Sequence, residues 1–309
     1  MDKYVVGIGA ANVDIYCKSN IRIREHYDHP SIINTTVGGV TRNILENIAR
    51  LGVNAKILTA IGDDIYGGLV KEKSKEAGID VDDVLVVKGG HTGIFMQVQD
   101  NNNDMHLALC DMSISKNIDV KYLSSKKKVF KNAEAIILDP SLDNEVIEYI
   151  LDTYNDIPVF VDPISDNYAK KIKPYLNKLY CIKPNKTELE VLASMKIKND
   201  DDLNKAIKKV IAKGTKCLYV SLGSKGCLYA DDNGNVIRRK FKAVNKMVNA
   251  SGAGDAFFAA TVHGFVNGLT IGDTIDKALA AGIVAIQSET TINPKMSVKL
   301  LNKIIKENR

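Results

Sequence analysis

Apolar runs of strand length alternate along this chain with segments of helical period, and no other feature constrains its fold as strongly. The runs lie at 4–9, 55–61, 135–139, 158–162, 179–183 and 217–222. The periodic segments lie at 42–51, 65–77, 144–153, 201–212, 255–267 and 275–288. Strands buried on both faces read as continuous apolar runs, so this order predicts an α/β fold with a mostly parallel central sheet covered by helices on each side. Several runs end in polar residues, Asp139-Pro140 and Asp162-Pro163 among them. In such sheets ligands gather beyond the carboxyl ends of the strands. The 309 residues carry no internal repeat and no low-complexity linker, and 1–309 reads as a single domain.

Two segments break the rhythm. Residues 12–36 alternate apolar and polar side chains without helical period, and 91–112 read as a hairpin about the turn Asp100 to Asp104. Paired, they would make a small second sheet placed as a lid; unpaired, they are ordinary edge strands.

Composition narrows the class. The chain is 45% hydrophobic and 26% charged with a net charge of +5, as a globular protein is. Its one basic run, Lys126-Lys127-Lys128, is too narrow for a nucleic-acid stripe and reads as a solvated face. No run approaches the roughly eighteen apolar residues of a membrane span, and the N-terminus lacks a secretory leader's apolar core. The five cysteines form no C-x-x-C pair, which fits reduced thiols and a cytoplasmic location. The five histidines form no H-E-x-x-H, so a catalytic zinc is not expected.

The glycine-rich stretches carry the chemistry. "GIGAAN" at 7–12 begins like a dinucleotide fingerprint, but Asn12 takes the third glycine position and no helical pattern follows. Asp14, just beyond the strand end, is placed to bond a hydroxylated ligand. Gly38-Gly39 precede a helix with Asn43 in its first turn. A glycine pair lets backbone approach a ligand, and an amide supplies a donor and an acceptor. Asn185 and Glu188 stand three apart after a strand. That spacing serves a capping box and an outer-shell site for hydrated magnesium equally well. Gly223 and Gly226, after Ser221, free backbone N–H groups for phosphate oxygens or simply make a hairpin turn.

Gly252, Ala253 and Gly254 leave a helix N-terminus bare of bulky side chains, with Asp255 in its first turn. Unsatisfied N–H donors and the positive end of the helix dipole bind anions there. A carboxylate beside such a cradle can accept a hydroxyl proton while charge builds on a phosphoryl group. It also simply complements the dipole.

Together, in this order, these motifs resemble the ribokinase-like (PfkB-type) carbohydrate kinases over nearly the whole chain. The resemblance implies a ribokinase-like three-layer sandwich with a small β-sheet lid, which often forms a homodimer contact. It implies a kinase using ATP and Mg2+, with Asp255 as base and Gly252, Ala253 and Gly254 as the anion hole. Asn185 and Glu188 would organise magnesium and phosphates. Ser221, Gly223 and Gly226 would follow the nucleotide phosphates, with adenine near Ala278 and Gly282. Asn12, Asp14, Gly38, Gly39 and Asn43 would hold a sugar or nucleoside. Where the family usually has an aspartate that helps bind an activating monovalent cation such as K+, this chain has Asn249. Within the family, "GGVTRNILENIARLG", "ALCDMSISKNI" and "VNASGAGDA" look most like the pseudouridine kinases, which implies the 5′-hydroxyl of pseudouridine as acceptor, with ribose and other nucleosides as alternatives. That comparison sets Asp111 at the end of the lid and Lys183 near the base pocket.

Overall fold

The computed structural model describes residues 3–102, 104–242 and 247–308. The chain opens with β1 (Tyr4–Ile8), β2 (Asn12–Ser19), β3 (Ser31–Gly38), α1 (Val40–Arg50) and β4 (Ala55–Leu58). There follow β5 (Ala60–Gly62), α2 (Ile65–Glu76), β6 (Ile79–Asp80), β7 (Leu85–Val87), β8 (Ile94–Gln99) and β9 (Met105–Asp111). Next come α3 (Val120–Ser125), α4 (Lys127–Phe130), β10 (Ala133–Leu138), α5 (Asn144–Thr153), β11 (Val159–Val161) and α6 (Asp166–Ile172). β12 (Cys181–Ile182), α7 (Lys186–Ala193), α8 (Asp200–Ile211), β13 (Cys217–Ser221), β14 (Cys227–Asp231) and β15 (Val236–Arg239) complete the sheet, and α9 (Ala253–Val266), α10 (Ile271–Ile286) and α11 (Val298–Asn308) close the chain.

The large sheet has nine strands in the order β15-β14-β13-β12-β11-β10-β1-β4-β6. It is parallel from β6 to β13, and the hairpin strands β14 and β15 run antiparallel at one edge. Strand alternation divides its side chains between two cores. Val5, Ala135 and Ile137 join the core that holds residues of α1, α9 and α10. Val6, Ile8, Ile136 and Leu138 join the one that holds residues of α5, α7 and α8. The result is a three-layer α/β sandwich, as the alternation predicts.

The two interrupting segments do pair. β3-β2-β8-β9 form a separate four-stranded sheet, with β2 and β8 parallel at its centre. Of the turn expected at 100–104, Asn103 lies outside the described residues.

Several boundaries differ from expectation, three of them at 55–61, α9 and α10. The run 55–61 is two strands: the chain leaves the large sheet after Leu58, and β5 pairs with β7, helped by a bond from Leu85 N–H to the Thr59 carbonyl. α9 starts at Ala253, two residues earlier than its apolar pattern. α10 starts at Ile271, because the Thr270 hydroxyl caps the Asp273 N–H at 3.1 Å ahead of the apolar stripe. The lysine run falls at α4, where Lys126 pairs with Asp83 at 2.8 Å and Lys127 and Lys128 face solvent.

Candidate active site

The Gly252–Asp255 stretch opens α9. Gly252 is left-handed (φ 76°), and a Cβ there would lie 2.0 Å from the Thr291 carbonyl oxygen, so only glycine fits. The Ala256 N–H makes the first helical bond, to the Gly252 carbonyl, which leaves the preceding N–H groups available. Gly254 meets a milder constraint, since a Cβ there would stand 3.5 Å from Lys183 Nζ.

Asp255 takes a hydrogen bond from Asn43 Nδ2 at 3.2 Å. Burial, followed by the charge of Asp162, pushes its carboxyl up to about 7 against the opposing pull of Asn43 and Lys183. It is thereby poised to exchange a proton near neutrality. The other end of the Asn43 amide, Oδ1, is buried without a hydrogen-bond partner. A buried acceptor left unpaired costs about 1–3 kcal/mol, and a ligand hydroxyl beside Asp255 would satisfy it.

β2 and the β3–α1 junction supply the next group. Asn12 Nδ2 donates to Asp14 Oδ1 at 2.6 Å, and burial raises the Asp14 carboxyl, opposed by the Asn12 bond and the Arg42 charge. A Cβ on Gly38 would sit 2.2 Å from Asp14 Oδ2, and one on Gly39 (φ +99°) would sit 2.4 Å from the Ala10 carbonyl oxygen. Each glycine has a steric reason.

At the carboxyl ends of β10 and β11, Asp139 accepts bonds from Ala10 N–H and the Thr41 hydroxyl, while Asp162 pairs with Lys183 at 2.9 Å. Lys183 is buried (4% exposed), and although burial works against its charge, the carboxylates of Asp162, Glu188 and Asp255 hold its ammonium above the usual value. It sits beside Gly254.

Asn185 and Glu188 make the capping box of α7. Asn185 Oδ1 accepts from Glu188 N–H at 2.9 Å, and Glu188 Oε2 accepts from Asn185 N–H at 2.8 Å. Burial raises the Glu188 carboxyl, with Asp162 adding to the effect and the Asn185 N–H opposing it.

A cavity of about 470 Å³ lies beside the α9 N-terminus, lined by Ser221, Gly223, Gly226, Ala253, Gly254, Phe257 and one face of α10. The 217–231 turn is thus both hairpin and cavity wall. Gly226 (φ +90°) is required there, since its Cβ would lie 2.0 Å from the Arg239 carbonyl oxygen. On α10 the lining residues are Leu279, Gly282, Ile283 and Ile286, a single helical stripe. Ala278, one residue off that stripe, is fully buried in the core.

Two further expected residues are held by hydrogen bonds of their own. Asp111 ends β9, exposed, its carboxylate accepting from Ser113 N–H at 2.9 Å. Asn249 has both amide ends engaged, Nδ2 donating to the Glu289 carbonyl at 3.1 Å and Oδ1 accepting from Ser251 N–H at 2.9 Å.

Residues that motif reading passes over lie near Asp14 and Asp139. Thr36, Asp14, Phe95 and Cys110 stand opposite one another across the small sheet, so their side chains share the face that carries Asp14. Tyr168 of α6 lies where burial, then the charges of Asp139 and Cys110, raise its phenol, between the end of β10 and the small sheet. Only the polar strand ends Asp139 and Asp162 left a signal in the sequence; Phe95 and Tyr168 left none.

Comparison with known proteins accords with this geometry. Residues 2–298 match the pfkB family carbohydrate kinase model. The chain is 33% identical over 295 residues to the pseudouridine kinase of Escherichia coli K12, spanning 96% of this chain and 94% of that one. Arabidopsis thaliana ribokinase, solved with ribose and ATP, shares the fold at TM-score 0.87 and 22% identity over 99% of each chain. An Escherichia coli ribokinase-type structure in complex with ATP and Mg2+ does so at TM-score 0.85 and 18% identity, again over 99% of each. The fold is ribokinase-like, and the chain belongs to the pfkB family of carbohydrate kinases, phosphotransferases that act on a hydroxyl group.

Proposed function

We propose that this protein transfers the γ-phosphoryl of ATP to the 5′-hydroxyl of pseudouridine. One observation carries the kinase chemistry: a carboxylate pushed up to about 7 stands in the first turn of a helix whose bare N-terminus borders a nucleotide-sized cavity. The acceptor hydroxyl gives its proton to Asp255, and its oxygen attacks the γ-phosphorus. The bond from that phosphorus to the bridging oxygen breaks, and the electron pair leaves with ADP. The N–H groups at Ala253 and Gly254 meet the charge that builds on the phosphoryl oxygens. Ser221, Gly223 and Gly226 line the donor side. Asn12, Asp14, Gly38, Gly39 and Asn43 hold the ribose on the acceptor side.

Magnesium fits as a hydrated ion. Asn185 and Glu188 would hold it through outer contacts to its bound waters. Bound with the nucleotide, the ion neutralises phosphate charge.

The nucleoside reading rests on the pseudouridine kinase relative and on Phe95 and Tyr168, which offer a planar base two aromatic walls beyond the ribose. The test is kcat/KM for pseudouridine, uridine, ribose and adenosine side by side. A preference for free ribose would overturn the acceptor and leave the phosphotransfer standing.

Further parts of this reading concern assembly and location. Ile33, Leu107 and Leu109 of the small sheet are exposed apolar residues, and we place a homodimer contact there. Leu107→Glu should halve the mass seen in sedimentation if that contact exists; a monomeric wild type refutes it. All five cysteines are free, and no helix among the described residues is long and apolar enough to cross a membrane, in keeping with a cytoplasmic enzyme.

A further inference from the structure

Lys183 is a buried cation that the acid–base chemistry above does not use. It follows β12 at the carboxyl edge of the large sheet, with 4% of its surface exposed. Its ammonium has three N–H donors. Asp162 Oδ2, at 2.9 Å, takes one of them. A Cβ built on Gly254 would lie 3.5 Å from Nζ, in ordinary contact. Gly254 carries no side chain, so that space is open, and it adjoins the backbone donors of the anion hole. The carboxylates whose charge reaches Lys183 come from three separate elements: Asp162 after β11, Glu188 in α7 and Asp255 in α9. The geometry is that of one fixed positive charge set among acidic groups at the point where a transferred phosphoryl would pass.

Resting on the kinase reading, we propose that Lys183 is a catalytic residue of the transfer itself. Anchored by Asp162, it directs its remaining N–H donors at the non-bridging oxygens of the migrating phosphoryl beside Gly254, and does not recognise the acceptor's base. Asp162 is then a positioning residue. Its carboxylate fixes the ammonium before substrates arrive, so no reorganisation is needed as charge develops. A lysine suits this place as a compact point charge held on a stem that the core buries. The step stays balanced: Lys183 keeps its proton throughout, the hydroxyl proton goes to Asp255, and ADP leaves with the bridging oxygen.

The test uses two variants of the full chain, assayed with ATP, magnesium and the best acceptor of the panel. Lys183→Met removes the charge but leaves Asp162 buried and unpaired, so it is read beside the doubly neutral Asp162→Asn/Lys183→Met. The expected result is a kcat lowered about 10²–10³-fold in both, the scale of losing one electrostatic contact to a transition state. The acceptor KM should stay within about threefold of wild type, and the double variant should regain the melting temperature that the single variant loses. A folded double variant with wild-type kcat would reduce the ion pair to a structural one and overturn the proposal. A loss confined to the acceptor KM would overturn it in favour of base recognition. A wild type that phosphorylates nothing would overturn the kinase reading, and this inference with it, before any variant is compared.

Discussion

At the residue scale the site turns on Asp255 and Asn249. Asp255→Asn keeps the shape and an acceptor for Asn43 but removes the base, so turnover should fall about 10²–10⁴-fold with the fold intact. In the wild type, kcat/KM should rise with pH to a plateau above about 7, as the Asp255 carboxyl loses its proton. A variant as active as wild type, with chemistry rate-limiting, would leave Asp255 as a partner of the helix dipole only. Asn249 poses a different question, because its Nδ2 donates to the Glu289 carbonyl oxygen at 3.1 Å. Asn249→Asp would set a carboxylate against that carbonyl, an arrangement that favours a cation between them. Potassium should therefore stimulate the variant more than the wild type. Equal, strong potassium activation of both would refute this.

At the element scale, α7 and the small sheet each combine structure with function. The capping box of α7 needs an acceptor at residue 188, which glutamine also supplies through its side-chain oxygen. Glu188→Gln should keep the cap while raising the magnesium concentration needed for half-maximal activity. An unchanged magnesium titration would reduce the motif to a cap. In the small sheet, Phe95 stands opposite Asp14 in the register of β2 and β8. Phe95→Ala should raise KM for a nucleoside about tenfold and leave KM for free ribose nearly unchanged, since only the nucleoside carries a base to stack. Equal changes for both acceptors would mean that Phe95 only supports the sheet.

At the scale of the whole molecule, two buried groups pull stability in opposite directions as pH falls. His263 is buried between α9 and α10, and burial, then the Lys277 charge, depresses its imidazole to about 4. Its unfolded form binds a proton below about 6.5, so the stability tied to neutral His263 is present above that pH and is lost on acidification toward 4. Asp255 behaves oppositely. Its folded carboxyl, raised to about 7 from 3.8, holds a proton that the unfolded chain releases, so acidification from 7 toward 4 favours folding. Wild-type stability should therefore change little from these two groups across that window. Asp255→Asn should lose stability more steeply on acidification than wild type, and His263→Gln less steeply, each by on the order of 1–3 kcal/mol. Parallel unfolding curves for the three proteins between pH 4 and 7 would contradict both assignments.

The sequence by itself determined what depends on neighbours along the chain. Alternating runs fix the sheet and its two helical layers, because an apolar strand has to be covered on both faces. The α9 N-terminus and the Asn185–Glu188 box are legible because a helix end takes its donors and acceptors from within a few residues. The tertiary structure decided whatever depends on distant partners. Asn43 reaches Asp255 across 212 positions of sequence, and no local pattern records that meeting. Ala278 and Leu279 are adjacent, yet the packing of α10 sends one into the core and the other to the cavity wall. Lys183 could have faced solvent, a base or a phosphate; its pairing with Asp162 beside Gly254 follows from β11 and β12 ending where α9 begins. The raised Asp255 carboxyl has the same origin, because burial and a neighbouring charge are properties of the assembled fold and not of any one segment.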